Sequence, residues 1–397
     1  MRTLITFVSD YYPSNTGFSQ AFQHLHNCIL QCGECDKVLV FCFGEGKQTT
    51  SDKVEVYNIP KPKGQRLLAK TATRGFMQNR FKRELSGVFK RIDEEIRNNE
   101  VQMILLETMY MGWLIPILKN RYRDIPTVCR FHGTAPEYTA FYIDKKTTQY
   151  RHYLIDEIFK NTYIAVTTEF YISFFSEWFK DYKKFIDKEF FILPNTSKPL
   201  EASVTINNSN KISLLQLGRM DVLGYHQKGY QDSLKALMYL EESNPELCKR
   251  IKYITIGSGV KEDDFVKKSS CLTIVEHQHF SSLPNEEVKE IEMQADVILL
   301  PSRCEGMSMF ATEVLAAGKP IIFTTGNGLD CLCRDNYNGL GFRYYDYLSM
   351  ARNIERIVTD DGYRHMLSEN SKSIYEKEYS YKAVASKYAT ITRYFGA

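Results

Sequence analysis

Short apolar runs of strand length alternate along the chain with longer segments in which apolar residues recur every three or four positions. In the first half a helix is predicted over 18–30. The apolar runs of this half predict strands over 3–8, 38–43, 103–106, 127–131, 163–167 and 190–193. A strand, a helix and a second strand therefore open the chain, which is typical of a parallel α/β sheet.

The alternation resumes after the polar run 201–210, which is the best candidate for a linker. Helices are predicted over 230–241 and 309–317, and the tail 371–395 also has a helical pattern. The strands predicted in this half are 213–217, 253–256, 297–300 and 321–324. We expect two doubly wound, Rossmann-like α/β domains of parallel sheet over 1–195 and 196–375. A C-terminal helix within 376–397 is expected to pack back on the first domain.

Composition excludes several classes of protein. The 43% hydrophobic and 25% charged residues are ordinary for a globular protein, and a net charge of +3 does not demand a nucleic-acid partner. No apolar run approaches the roughly 18–20 residues of a membrane span. Ten cysteines without a paired framework, and no evident signal peptide, predict a cytoplasmic protein with free thiols.

Cysteine spacing offers two metal motifs, and we reject both. Cys28, Cys32 and Cys35 have the spacing of an iron–sulfur site, but they lie at a helix end and turn, and no barrel of eight βα units follows. Cys331 and Cys333 lack the second pair that a zinc site needs. We therefore expect neither a metal nor a cofactor.

The segment 61–91 holds ten lysines and arginines against one acid, with apolar residues interleaved. One interpretation is a solvated helix face. The other is a surface for anionic lipid headgroups or a phosphate-bearing acceptor, which would place the protein peripherally on the inner face of a membrane. Nucleic acid ranks lower, because no nucleic-acid fold signature accompanies the segment.

Two glutamates, Glu305 and Glu313, lie eight positions apart across a strand-to-helix junction. Ser308 is a candidate N-cap for the helix, and Gly318 is its stop. Glu305 follows a strand at its carboxyl end, where open α/β sheets bind ligands. Glu313 lies in an otherwise apolar helix, where a carboxylate is costly unless something pairs with it. A polyol such as a sugar suits both carboxylates.

Gly218-Arg219 ends the strand 213–217, and Lys228-Gly229 opens the next helix. Both cations should therefore reach one crevice, where helix N-termini already favour anions. An arginine and a lysine there suit a diphosphate. Considered alone, an arginine and a lysine at such positions are more often ordinary surface residues. The glutamate pair in the same domain is what favours a ligand-binding site.

Together these motifs resemble the retaining glycosyltransferases of the GT-B fold, specifically glycosyltransferase family 4, also described as glycosyl transferases group 1. Further matches in the same order are His132-Gly133, Pro194-Asn195, Ile256-Gly257-Ser258-Gly259 and Asn338-Gly339. The resemblance spans nearly the whole chain. It implies two Rossmann-like domains facing across a cleft, with the acceptor on the first and the nucleotide-sugar donor on the second.

The resemblance also implies a role for each matching residue. Arg219 and Lys228 would hold the donor diphosphate, Glu305 the sugar hydroxyls, Glu313 the ribose, and His132 would lie near the anomeric centre. The remaining donor-binding positions are Gly17, Gly218, Gly257, Gly306, Met307, Ser308 and Met309. No metal is needed, because the cationic pair replaces it. A UDP-sugar is expected ahead of a GDP-sugar, and the acceptor is expected to be a glycan or a lipid-linked sugar.

Two positions depart from the family pattern. Phe18 stands where the first loop often has a second glycine, and eight residues separate Arg219 from Lys228, more than in many members. His132 alone would usually be structural, and Asn195 is expected to be a turn residue. The sequence predicts a hexosyltransferase-like enzyme of glycan or polysaccharide biosynthesis. The alternative is a non-catalytic nucleotide-sugar-binding module on the same fold, and an epimerase is disfavoured.

Overall fold

The computed structural model describes residues 1–11, 16–43, 53–132, 145–173, 189–198 and 211–396. The chain forms two compact units: Met1–Thr196 together with Tyr381–Ala397, and Ser197–Ser380. The predicted linker 201–210 and Gly133 lie outside the described residues.

In the first unit the described residues form a sheet of seven parallel strands in the order β3-β2-β1-β4-β5-β6-β7. The strands are β1 Arg2–Val8, β2 Lys37–Cys42, β3 Val54–Asn58, β4 Glu100–Glu107, β5 Thr127–Phe131, β6 Tyr163–Val166 and β7 Phe190–Ile192. Most of their residues are buried, because helices cover both faces of a parallel sheet.

The helices of this unit are α1 Gly17–Gln31, α2 Thr71–Glu84, α3 Ser86–Asn98, α4 Ile115–Arg121 and α5 Lys145–Asn161, with 3₁₀ turns at Gln65–Ala69 and Met109–Leu114. One apolar cluster packs α2 to α5 against one face of the sheet. A second cluster on the other face joins α1 to the C-terminal helix, which spans Tyr381–Tyr394.

In the second unit the described residues form a sheet of six parallel strands in the order β10-β9-β8-β11-β12-β13. The strands are β8 Ile212–Leu217, β9 Ile251–Ile256, β10 Glu276–Phe280, β11 Val297–Leu300, β12 Ile321–Thr324 and β13 Gly339–Phe342. Apolar clusters again lie on both faces. Both units are therefore doubly wound α/β domains, as the sequence predicts.

The helices of the second unit are α6 Val222–Gln227, α7 Tyr230–Ser243, α8 Pro245–Cys248, α9 Glu262–Ser269, α10 Asn285–Gln294, α11 Met309–Ala316, α12 Tyr347–Thr359 and α13 Asp361–Ile374, with a 3₁₀ turn at Gly328–Cys331. The tail predicted as one helical stretch is divided. A π-helical turn over Tyr375–Tyr379 follows α13, and the extended backbone of Ser380 leads to α14, Tyr381–Tyr394.

All ten cysteines lie within the described residues, and all are free thiols, as predicted. Cys28 and Cys35 are buried, and their thiols donate to the carbonyls of Tyr381 and Lys37 at 2.9 and 2.8 Å. Among the helices that the structure describes, none is long and apolar enough to cross a membrane.

Candidate functional site

The strand order places the predicted donor residues at one edge of the second sheet. From β8 the chain adds β9 and β10 on one side of the sheet, and it then returns to add β11 on the other side of β8. Strands β8 and β11 are therefore neighbours although β9 and β10 separate them in sequence. Gly218 and Arg219 follow β8, and Glu305 follows β11. Ligands of open α/β sheets bind outside the carboxyl ends of strands at such a switch point.

At this point Lys228 donates to Oε1 of Glu305 across 2.5 Å. Both side chains are largely buried, with exposed fractions of 20% for Lys228 and 10% for Glu305. An ion pair so shielded is less weakened by solvent than a surface pair. The structure thus brings together the lysine and the glutamate that the sequence singled out separately.

Close backbone approaches explain the glycines around this pair. A Cβ on Gly218 would lie 2.6 Å from Cγ of Lys228, so only glycine leaves room for the lysine stem. A Cβ on Gly257 would lie 2.0 Å from the carbonyl oxygen of Gly218, to which the Tyr230 hydroxyl also donates at 2.7 Å. The ends of β8 and β9 are thereby held against each other beside Lys228.

Arg303, which the sequence analysis missed, fixes the loop that carries Glu305. It pairs with the buried Asp232 at 2.9 Å, donates to the carbonyl of His226, and stacks on the ring of Tyr345. Gln227 adds a hydrogen bond to the carbonyl of Cys304 at 2.8 Å. The loop after β11 is therefore tied to the turn that presents Lys228.

Arg219 differs from Lys228 in exposure. Its side chain is 66% exposed and pairs with Asp221 at 3.0 Å. Asp221 also caps α6, accepting from the backbone N–H groups of Leu223 and Gly224. The extra residues between Arg219 and Lys228 thus form a short capped helix. Arg219 lies at the strand end with its guanidinium in solvent, where a ligand can reach it.

The segment 306–309 leads from the Glu305 loop into α11. Ser308 caps this helix as predicted, its hydroxyl accepting from the N–H of Ala311, and Met307, Ser308 and Met309 are buried. A Cβ on Gly328 would lie 1.8 Å from the carbonyl oxygen of Gly306, so the turn after β12 supports this segment by direct backbone contact.

Glu313 lies in the second turn of α11 and is buried. Burial raises the pKa of Glu313 to about 7, and the charge of Lys289 only partly opposes this. Burial and the charge of Glu313 also raise the pKa of Glu292, a buried glutamate on α10.

In the first unit, His132 follows β5 and belongs to a buried charge cluster. Its Nε2 lies 2.5 Å from Oε2 of Glu107, and Nη1 of Arg130 lies 3.2 Å from Oε1 of the same carboxylate. Glu107 and Arg130 are register partners on β4 and β5, so their side chains share a face with His132 two residues on. Glu107 and Arg130 were missed, although charged residues in apolar strands are a visible signal.

The protonation states of this cluster follow from its charges. Burial alone would raise the pKa of Glu107, but Arg130 and His132 outweigh it and lower the pKa to about 2. Burial and then Arg130 lower the pKa of His132. A neutral His132 beside an ionised carboxylate donates from Nε2, which leaves its buried Nδ1 as the acceptor. A hydrogen bond with the Asn195 side chain opposes part of the lowering of the His132 pKa.

Arg130 also links the cluster to the end of the unit. It donates to the carbonyls of Leu193 and Pro194 and to Oδ1 of Asn195, at 2.8 to 2.9 Å. Asn195 therefore accepts from Arg130 and anchors the chain where the first unit ends. Gly17 begins α1, is exposed, and would meet nothing within 4 Å with an added Cβ. Phe18 meets the ring of His132 edge-on, at 6.0 Å between centroids.

Comparison with known proteins finds similarity to glycosyltransferases. Residues 200–374 match the profile of the family described as "Glycosyl transferases group 1". An uncharacterized glycosyltransferase of Methanocaldococcus jannaschii is 26% identical over 205 residues, which are 49% of this chain and 52% of that protein. The chain thus spans about half the length of the curated relatives it matches.

Solved structures match over nearly the full length. Sucrose-phosphate synthase from Thermosynechococcus elongatus has a TM-score of 0.72 at 14% identity, covering 99% of both chains. The Anabaena protein HepE, crystallised with UDP, has a TM-score of 0.70 at 13% identity, covering 99% of this chain and 100% of that one. These likenesses establish the GT-B fold, and residues 200–374 carry a glycosyl transferases group 1 domain.

Proposed function

We propose that the protein is a retaining glycosyltransferase that moves a sugar from a nucleoside-diphosphate sugar to an acceptor hydroxyl. The observation that carries the proposal is the Lys228–Glu305 pair at the switch point of the second sheet, 2.5 Å apart. A cation for phosphate and a carboxylate for sugar hydroxyls are thereby held side by side. The family profile over 200–374 supports the same activity.

Each residue then has a task that its surroundings allow. Lys228 and Arg219 neutralise the diphosphate and stabilise the charge that develops on it as it leaves. Glu305 accepts from sugar hydroxyls, and Glu313 accepts from the ribose. The backbone of 306–309 lies at the N-terminus of α11, where N–H groups favour a phosphate or a sugar oxygen.

Retention is proposed through attack on the face that the diphosphate leaves. The bond from the anomeric carbon to the phosphate oxygen breaks, and the acceptor oxygen bonds to that carbon. The acceptor proton moves to the departing phosphate oxygen, so no protein carboxylate has to act as the base. This assigns positioning rather than acid–base chemistry to Glu305 and Glu313.

The donor is proposed to be a UDP-sugar first and a GDP-sugar second. HepE crystallised with UDP, and with UDP and glucose, supports this order. The acceptor is proposed to be a glycan or a lipid-linked sugar of polysaccharide biosynthesis, handled by the first unit in the cytoplasm. In the first unit, His132 is proposed as a catalytic residue, held by its hydrogen bond to Glu107.

Peripheral membrane contact is proposed for part of the segment 61–91. Most of its interleaved apolar residues belong to the core, but Leu67 and Phe76 are exposed, Phe76 to 65%. Several cations of the segment have protein partners, Arg80 with Glu84 and Arg91 with Glu55 and Glu95. The exposed cations nearest Leu67 and Phe76 in sequence are Lys63, Arg66 and Lys70. Cations beside exposed apolar side chains suit an anionic lipid surface.

The proposal is tested by calorimetric titration of the purified chain with UDP, GDP, ADP and CMP, followed by transfer assays with the sugars of whichever nucleotide binds. Binding and transfer, with retained anomeric configuration by NMR of the product, are expected. Tight nucleotide binding without hydrolysis or transfer on any acceptor would favour the non-catalytic module. Binding of none of the nucleotides would overturn both.

A further inference from the structure

Tyr345 has a backbone conformation that a bulky side chain rarely adopts. It lies in the loop between β13 and α12, its φ is +68°, and the residue is 55% exposed. Among the described residues, only Thr108 and Asn336 are further non-glycine residues with a positive φ. Such a conformation is unfavourable for a tyrosine, and it persists only where surrounding contacts hold it, most often at functional sites.

The ring of Tyr345 covers the guanidinium of Arg303. Cζ of Arg303 lies 4.5 Å from the ring centroid, which is close enough for a cation–π contact. The side chain of Arg303 is only 10% exposed, and it pairs at 2.9 Å with Asp232, which is 3% exposed. Burial raises the pKa of Asp232, and the charge of Arg303 and then the backbone N–H of Tyr345 oppose this. Tyr345 thus meets the Arg303–Asp232 pair with both its ring and its backbone.

Arg303 in turn joins the two segments that carry Lys228 and Glu305. Its backbone N–H donates to the carbonyl of Gln227 at 2.8 Å, and its Nη1 donates to the carbonyl of His226. Gln227 immediately precedes Lys228, and Arg303 lies two residues before Glu305. A shift of Arg303 therefore changes the place of the lysine relative to the glutamate.

The hydroxyl of Tyr345 makes a weaker contact than its ring. It lies 3.5 Å from Nε2 of His226, at the upper limit for a hydrogen bond, and the centroids of these two rings are 6.5 Å apart. The ring, which lies over a largely buried cation, is therefore the part of the side chain that holds Arg303.

We propose that Tyr345 is a positioning residue for sugar transfer, which acts through Arg303 to hold Lys228 and Glu305 in place. The role of the Lys228–Glu305 pair in transfer rests on the proposed function. Glycine or asparagine would suit the backbone of position 345 better, but neither offers a ring to the guanidinium. The contact with Arg303 accounts for a tyrosine at a position with an unfavourable φ.

The contact with Arg303 is tested without any ligand, by hydrogen–deuterium exchange of the backbone amides. Y345F keeps the ring, whereas Y345N tolerates a positive φ but has no ring. The N–H of Arg303 and the N–H of Gly328, which donates to the carbonyl of Glu305 at 2.9 Å, should exchange about tenfold faster in Y345N. Both should exchange at the unmodified rate in Y345F. Y337N, which removes an exposed tyrosine from another turn of the same unit, is the control.

The positioning role is tested by the kcat for transfer from the UDP-sugar or GDP-sugar that the unmodified protein uses. In Y345N kcat should fall about tenfold or more, measured well below the Tm, because misplaced groups in a site slow the reaction. Its Tm should stay within about 3 °C of the unmodified value, since relief of the backbone offsets the lost ring contact. Y345F should recover most of kcat. A purely structural role would lower the Tm and leave kcat of the folded enzyme unchanged.

Equal amide exchange in Y345N and the unmodified protein would overturn the proposal at its first step. Faster exchange with an unchanged kcat would overturn the positioning role while leaving the transferase proposal intact. An equal loss of kcat in Y345F and Y345N would assign the effect to the hydroxyl and overturn the role of the ring.

If the unmodified protein neither binds a nucleoside diphosphate nor transfers a sugar, the proposed function fails, and the role of Tyr345 in transfer fails with it. The exchange rates would then still decide whether Tyr345 holds Arg303.

Discussion

Lys228 and Glu305 are 77 residues apart in sequence, yet the lysine, in the turn between α6 and α7, donates across 2.5 Å to the glutamate in the loop after β11. In the absence of ligand each charge satisfies the other. A diphosphate that binds Lys228 must share the lysine with Glu305, which then has acceptor capacity for sugar hydroxyls. The pair therefore holds both groups in place before the donor arrives and limits the reorganisation that binding requires.

Lys228→Ala should lower kcat by about 100-fold or more, because it removes a cation that we propose to stabilise the leaving diphosphate. It should also cost about 1–3 kcal/mol of stability, because it leaves the Glu305 carboxylate largely buried without its partner. Steady-state kinetics and chemical denaturation measure the two effects. Lys249→Ala is the control, since that lysine is 62% exposed and pairs with Glu246 on the surface of the same unit. Equal kinetics for the two variants would exclude Lys228 from the site.

Arg219→Ala should lower donor affinity and turnover without lowering the stability of the protein. The arginine is 66% exposed, and its pair with Asp221 contributes little to folding. We expect the Tm to stay within about 1–2 °C of the unmodified protein, as for ordinary surface changes. Donor affinity and turnover should each fall at least about tenfold if the guanidinium holds the diphosphate. Unchanged turnover would assign the diphosphate to Lys228 alone.

Much of the fold could be predicted because parallel strands buried on both faces appear as short apolar runs. Strands β5, β11 and β12 have the predicted bounds. Strand β10 was missed because its sequence EHQHF is polar and only half-buried, and β13 because its GLGF contains two glycines. In both cases pairing with an apolar neighbouring strand overrides the local pattern.

The residues of the site could be predicted where both the charge of the side chain and its place after a strand or before a helix indicate ligand binding, as at Lys228 and Glu305. They could not be predicted where one side chain acts on another from a distant element. Arg303 and Glu107 each lie in a different segment from the group they hold. Their roles depend on strand register and helix packing, which local periodicity does not contain.

Charge reversal of Lys63, Arg66 and Lys70 to glutamate should weaken binding to vesicles of phosphatidylcholine with about one-third phosphatidylglycerol more than tenfold. Each cation near such a surface contributes about 1 kcal/mol, and the reversed charges are repelled. Co-sedimentation with vesicles measures the effect. Reversal of the exposed Lys267 and Lys377 in the second unit is the control. Unchanged sedimentation of the triple variant would leave the segment as a solvated face.

Gly328→Ala should disturb the loop that carries Glu305 and Gly306 through backbone contact alone. The added Cβ would lie 1.8 Å from the Gly306 carbonyl oxygen and 2.6 Å from that of Glu305, so the loop has to move. We expect a loss of about 1–3 kcal/mol of stability and a raised KM for the donor. Gly362→Ala is the matched control, because its Cβ would meet only Oδ1 of Asp360, at 3.5 Å. A normal KM in Gly328→Ala would show that the position of Gly306 does not affect donor binding.

Glu107→Gln should cost about 3–5 kcal/mol at pH 7, because it leaves the fully buried Arg130 without its counter-charge. The pH dependence gives a second test. The pKa of Glu107 is lowered to about 2, so the stability it contributes is present above its ordinary value of 4.5 and is lost as the pH falls toward 2. The difference in unfolding free energy between the two proteins should therefore shrink below pH 4.5. Glu84→Gln removes one partner of a surface pair with Arg80, so it should change the free energy of unfolding little, both at pH 7 and near pH 2. A constant difference down to pH 2 would mean that Glu107 is not held ionised by Arg130 and His132.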